Sequence, residues 1–260
     1  MQLPIFQVDA FTADVFGGNP AAVCPLETWL PDQTLQSIAA ENNLSETAFF
    51  VPAGSGRFDL RWFTPTIEVD LCGHATLATA FVILSKLEPA LSSVRFSSAS
   101  GDLAVERDGE LLVLDFPARP PLPIEPPEGI ATTLGVEPLQ MLAAKSLLAI
   151  LADEQTVKTL QPNIDAIAKL PADGLIISAP GDEVDFVSRY FAPHAGIAED
   201  PVTGAAHTTL TPYWATRLGK ETMQARQISA REGALRCEAR GDRVRLAGQA
   251  VLYLEGTISF

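Results

Sequence analysis

The chain has 260 residues, 47% of them hydrophobic and 19% charged, enough to bury one large core or two modest ones. Its formal net charge is −14, from 18 basic and 32 acidic residues scattered along the chain, which reads as solubility; without a basic patch to neutralise phosphates, nucleic-acid binding is excluded. No stretch approaches the roughly 18–20 apolar residues of a membrane span, and the opening MQLPIFQVDAF lacks the basic region and apolar run of a targeting signal, so the expectation is a soluble cytoplasmic protein.

Residues 3–9 alternate like a strand. Phe16-Gly17-Gly18-Asn19-Pro20 is turn chemistry, and 21–25 reads as a short strand. Leu35, Ile38 and Ala39 stand at helical spacing in 31–42, which stops on Asn-Asn. Strands are predicted at 46–51 and 58–63. Residues 71–87 form a helix apolar on almost every face, and such a helix belongs inside a core. Strands follow at 94–97, 103–107 and 111–116. The run PARPPLPIEPP (117–127) is the linker candidate, since its prolines block helix interiors and central strands. Short helices are predicted at 130–134, 154–160 and 164–168, and strands at 146–152, 174–179 and 185–191. A second central helix spans 203–218 and ends at Gly219. Strands at 227–230, 235–239, 244–247 and 251–254 complete the chain. Strands, one buried helix and strands, twice over, predict two α+β lobes, each wrapping a sheet around one apolar helix.

A repeated phrase supports the doubling. RWFTPTIEVDLCGHA (61–75) is answered by RYFAPHAGIAEDPVTGAA (189–206): Arg61, Phe63 and Pro65 match Arg189, Phe191 and Pro193, and Cys72-Gly73 matches Thr203-Gly204. Asp70 and Asp200 read as matching acids before the two helices. Lobes repeated in this way predict a site in the cleft between them.

The helix starts are the first chemical candidates, because unpaired N–H groups and the helix dipole at Gly73 and Gly204 suit a carboxylate. The plain alternative is that each glycine relieves crowding where a buried helix begins. Glu46, in NNLSETAFFV, is either an ordinary strand-edge carboxylate or a base that takes a proton and returns it. His74 is either a satisfied structural residue or a hydrogen-bonding partner in a site. Asp200 is a dipole-complementing acid or a site residue. Cys72 is a buried small hydrophobe or a thiolate activated by the helix end. His74, His194 and His207 are scattered, HxH and HExxH spacings are absent, and Cys24, Cys72 and Cys237 form no close pair, so neither a metal site nor a disulfide is expected. The absence of GxGxxG, GxxxxGK[ST] and GxSxG counts against dinucleotides, a P-loop and serine-hydrolase chemistry.

QVDAFTADVFGGNPAAVC, NNLSETAFFV, RWFTPTIEVDLCGHATLATA and VDFVSRYFAPHAGIAEDPVTGAAH together resemble the PhzF-like family, named for an isomerase of phenazine biosynthesis. The resemblance covers nearly the whole chain. It implies a diaminopimelate-epimerase-like fold, two pseudo-symmetric lobes each with a β-barrel-like sheet around a central helix, with lobes of 1–117 plus 250–260 and of 118–249. It implies a homodimer and an isomerase that needs no cofactor, acting on a small carboxylate substrate. By position it makes Glu46 the proton-transferring residue with His74 and Asp200 in support. It assigns substrate binding to Asn19, Cys72, Gly73, Thr203, Gly204 and Ala205. Ala205 departs from the family's serine, which puts the phenazine substrate itself in doubt. Related epimerases and proline racemase use one cysteine per lobe. Here Cys72 matches the first and Thr203 stands at the second, and a threonine hydroxyl is far too weak an acid to replace a thiol. The alternatives are an epimerase pairing Cys72 with a non-cysteine partner, or a non-catalytic small-molecule-binding protein of the same fold.

Overall fold

The computed structural model describes residues 1–260, and the chain divides into two compact units, Met1–Asp115 with Ala247–Phe260, and Phe116–Leu246. In the first unit, β1 (Gln2–Ala10) pairs antiparallel with β2 (Asn19–Pro25). A helix, α1 (Asp32–Asn42), then crosses over so that β3 (Glu46–Gly54) lies parallel to β2. The helix buries Leu35, Ile38 and Ala39 and stops at Asn43, whose left-handed φ of 49° lets its N–H bond Ala39 O. β4 (Arg57–Phe63) is antiparallel to β3 and carries the two-residue β5 (Glu68–Val69) on its other side.

The first central helix, α2 (Gly73–Val82), begins two residues later than its apolar run. Cys72 caps it in an extended conformation, and the predicted last turn is a π-helical turn over Ile83–Leu87. Only Phe81 of α2 is not fully buried, and the helix packs on β1, β2 and β3. β6 (Ser93–Ser98) returns parallel to β4, followed by antiparallel β7 (Gly101–Asp108) and β8 (Leu111–Pro117).

The second unit repeats this plan. The proline-rich run holds a two-residue edge strand, β9 (Leu122–Pro123), where missing N–H groups are tolerated. It pairs with β10 (Gln140–Ala143), which pairs antiparallel with β11 (Leu147–Ile150). Between β9 and β10 lies α3 (Ile130–Leu134), and α4 (Glu154–Thr159) and α5 (Ile164–Ile167) form the crossover to β12 (Leu175–Pro180), parallel to β11. Antiparallel β13 (Phe186–Ala192) carries the short β14 (Ile197–Asp200). The second central helix, α6 (Gly204–Leu218), ends in a left-handed Gly219. Pro212 lies inside it, and the carbonyl that its missing N–H would have bonded, Thr208 O, accepts Arg119 N–H instead at 2.9 Å. β15 (Thr222–Gln227) is parallel to β13 and antiparallel to β16 (Gly233–Arg240); β17 (Arg243–Gly248) follows the turn at Gly241. The chain then re-enters the first unit as β18 (Ala250–Ser259), antiparallel to β1.

Several expectations are corrected. β5, β10 and β14 were not predicted, because two to four residues carry too little alternation to be read. The strand expected at 227–230 lies at Thr222–Gln227, where Met223, Ala225 and Gln227 alternate inward. A glutamine among the inward residues hid that pattern.

The repeated Arg-x-Phe is framework. The Arg61 guanidinium grips Glu68 bidentately, both contacts at 2.7 Å, and lies 5.1 Å over the Phe63 ring. Arg189 grips Glu199 in the same way at 2.7 and 2.9 Å and lies 5.1 Å over Phe191. Each arginine thus ties a long strand to the short strand leading into a central helix. The register pairs Trp62 with Val69 and Tyr190 with Asp200. Asp200 therefore answers Val69 rather than Asp70, and Asp70 is exposed where Asp200 is buried.

Candidate active site

Three elements of the first unit bring their first residues together. Asn19 opens β2, Glu46 opens β3 beside it, and Gly73-His74 opens α2. Gly18 sets the entry to β2: its φ is +60°, and a Cβ there would lie 2.1 Å from Ala10 O, so only glycine fits. Asn19, Glu46, Cys72 and His74 are all buried. His74 Nε2 is 3.0 Å from Glu46 Oε2, Asn19 Nδ2 is 3.1 Å from His74 Nδ1, and Cys72 Sγ is 3.5 Å from the same nitrogen. The Glu46–His74 contact is off the hydrogen-bond direction, and neither of its two atoms has an aligned partner elsewhere.

Burial opposes a charged His74, but the Cys72 sulfur and the Glu46 carboxylate outweigh it and push the ring's pKa well above its ordinary value. Burial, with the Glu46 charge, pushes the Cys72 thiol up to about 11. Cys72 is thus a neutral thiol at physiological pH, and the anion that holds a proton on His74 is Glu46. Burial favours the reading of Cys72 as a buried small residue over a thiolate activated by the helix end. A neutral His74 accepts from the Asn19 amide at Nδ1 and turns Nε2–H toward Glu46; a charged ring needs the amide oxygen there instead. The cluster can therefore hold a proton on the His74 ring beside the Glu46 carboxylate.

The start of α6 has a different chemistry. Thr203 Oγ1 donates to Asp200 Oδ2 in a short hydrogen bond. Gln227 Oε1 accepts Thr203 N–H at 2.8 Å, and Gln227 Nε2 donates to Asp200 O at 2.7 Å and Thr203 Oγ1 at 3.1 Å. Gln227 escaped the sequence reading, since an isolated glutamine in a polar stretch carries no signal. One turn in, His207 Nδ1 donates to Thr203 O at 2.8 Å, and burial pushes its pKa down to about 4, so it is neutral. Thr76 does the same for Cys72 O in α2, so this pair answers to helix capping. Gly204 answers Gly73, and Ala205 stands where α2 has His74. The predicted residues thus form one cluster around the Glu46–His74 pair in the first unit (Asn19, Glu46, Cys72, Gly73, His74) and a hydrogen-bonded group in the second (Asp200, Thr203, Gly204, Ala205). No helix is long and apolar enough to cross a membrane.

Residues 8–256 match the family model of phenazine biosynthesis-like proteins. The chain is 52% identical over 258 residues to an uncharacterized isomerase of Pseudomonas aeruginosa, covering 99% of both chains. It superposes on the crystal structure of a phenazine biosynthesis protein of the PhzF family from Enterococcus faecalis with a TM-score of 0.97, 46% identity and all of both chains covered. A hydroxyproline epimerase from Agrobacterium vitis shares the fold at 9% identity, with a TM-score of 0.63 over 99% of this chain and 92% of that one. The fold is the diaminopimelate-epimerase-like one, and the chain belongs to the PhzC–PhzF family of phenazine biosynthesis-like proteins.

Proposed function

We propose that the protein is a cofactor-independent isomerase that moves a proton, and with it a double bond, on a small carboxylate substrate. The observation that carries this reading is the buried Glu46–His74 pair, 3.0 Å apart and flanked by Asn19. The Glu46 carboxylate takes a C–H proton from the carbon between the substrate's carboxylate and its double bond. The electron pair spreads into a dienolate, and Glu46 returns the proton to the far carbon of the former double bond. Substrate and product differ only in the place of one hydrogen and one double bond, so no oxidant or cofactor enters the balance. His74 positions Glu46 and holds a proton against it, and the helix end at Gly73 supplies N–H groups for the carboxylate and the developing charge. Asp200 acts by holding Thr203 at the mouth of α6. The epimerase alternative needs an ionised Cys72, and the burial of that thiol speaks against it.

The test is proton exchange in deuterated water across a panel of small β,γ-unsaturated carboxylates. The wild type should introduce deuterium and shift the double bond. Glu46→Gln, with its fold verified by circular dichroism, should lose roughly 10²–10⁴-fold of that rate. Unchanged exchange in the variant would remove Glu46 from the role. A homodimer in the cytoplasm is the setting we propose, checked by light scattering and fractionation.

A further inference from the structure

We propose that Glu46, Cys72 and His74 form a capture site for one thiophilic divalent cation, of which zinc is the type. A carboxylate oxygen, a ring nitrogen and the sulfur lie within 4.8 Å of one another, and all three residues are buried. The 3.5 Å between Cys72 Sγ and His74 Nδ1 matches the roughly 3.6 Å between sulfur and nitrogen on one tetrahedral zinc. A second observation points to a ligand: Glu46 Oε2 and His74 Nε2 are buried and meet only each other, 3.0 Å apart and out of line for a hydrogen bond. Polar atoms left that way are costly, and a bound cation would satisfy one of them directly. The donor set of thiolate, imidazole and carboxylate selects zinc, cobalt or copper over magnesium and calcium. Three protein ligands leave a fourth position open. Histidine spacing could not reveal this set, because its ligands are a Cys-x-His pair and a glutamate from a distant strand.

The binding step balances simply. The Cys72 S–H bond breaks, a sulfur–metal bond forms, and that proton goes to buffer together with the proton the Glu46–His74 pair holds, with no change in oxidation state. A bound ion would also occupy the Glu46 lone pair that receives the substrate proton, so inhibition by the ion rests on the reading in the preceding section. Binding itself does not.

The experiment titrates the full-length, chelator-stripped protein with cobalt(II) as the spectroscopic probe. The expected result is a thiolate-to-cobalt charge-transfer band that saturates at one equivalent, with protons released as the ion binds. Zinc should displace the cobalt and magnesium should not. Cys72→Ser should abolish the band, Cys24→Ser and Cys237→Ser should keep it, and Glu46→Gln or His74→Gln should weaken binding at least ~10-fold. Circular dichroism checks each fold; should Cys72→Ser not fold, proton release by the wild type and the Glu46→Gln titration decide. A wild type with neither band nor proton release overturns the proposal, as does a band indifferent to Cys72→Ser. If cobalt binds and deuterium exchange continues, the metal site stands and Glu46 as proton carrier fails. If cobalt does not bind and Glu46→Gln still abolishes exchange, the reverse holds.

Discussion

The starts of α2 and α6 are built on the same scaffold and differ in what they can do. In both units a parallel pair, an antiparallel strand and a short added strand lead into a buried helix, and an arginine bridges to a glutamate on that short strand. Past that point they diverge. Cys72-Gly73-His74 faces a carboxylate from β3 and forms a cluster that holds or passes a proton. Thr203-Gly204-Ala205 is locked by Asp200 and Gln227 into hydrogen bonds whose donors and acceptors are already assigned. Duplication supplied two helix ends; the residues beside each glycine made one titratable and the other fixed. The environments of the two arginines differ too: the Arg189 side chain is 9% exposed and also donates to Val157 O and Leu160 O, whereas Arg61 is 25% exposed.

The sharpest way to break this contrast is at Glu46. Glu46→Gln should lower turnover roughly 10²–10⁴-fold and leave the urea midpoint nearly unchanged, whereas Asp200→Asn should cost much less activity. Comparable losses for both would show that the second helix start shares the proton chemistry.

Truncating the two arginines should separate next. Arg189→Ala leaves Glu199 and two carbonyls without their partner, and should cost about 3–5 kcal/mol in urea unfolding. Arg61→Ala, at a more solvated pair, should cost about 1 kcal/mol or less. Equal costs would mean that the burial difference has no energetic weight.

The histidines should pull stability in opposite directions with pH. His207 has its folded pKa lowered to about 4, so its contribution is present above the unfolded value near 6.5 and is lost as pH falls from there toward 4, by about 3 kcal/mol. His74 has its folded pKa raised, so its contribution is present below the unfolded value and is lost as pH rises through the folded one. His207→Gln should flatten the acid limb of the stability profile and His74→Gln the alkaline limb. A profile changed on the other limb in either variant would contradict the assignment.

A last variant sharpens the role of Gln227. Gln227→Ala strips Thr203 N–H and Asp200 O of their partners and should cost about 1–3 kcal/mol. A drop in activity larger than that loss of folded protein would assign Gln227 to substrate handling as well.

Much of this was legible along the chain. The apolar run after Asp70, the repeat of Arg-x-Phe and the stops at Asn43 and Gly219 follow from local rules, because helix periodicity and left-handed caps are written in neighbouring residues. The family motifs marked Glu46, His74 and Asp200 as residues to watch. Only the tertiary structure decided their company. Which nitrogen of His74 meets Glu46, whether Cys72 ionises and what pins Thr203 depend on contacts between residues 24 to 55 positions apart and on how deeply they are desolvated. A sequence states local propensity directly, but burial and the charge beside a buried group exist only after the strands have been laid side by side.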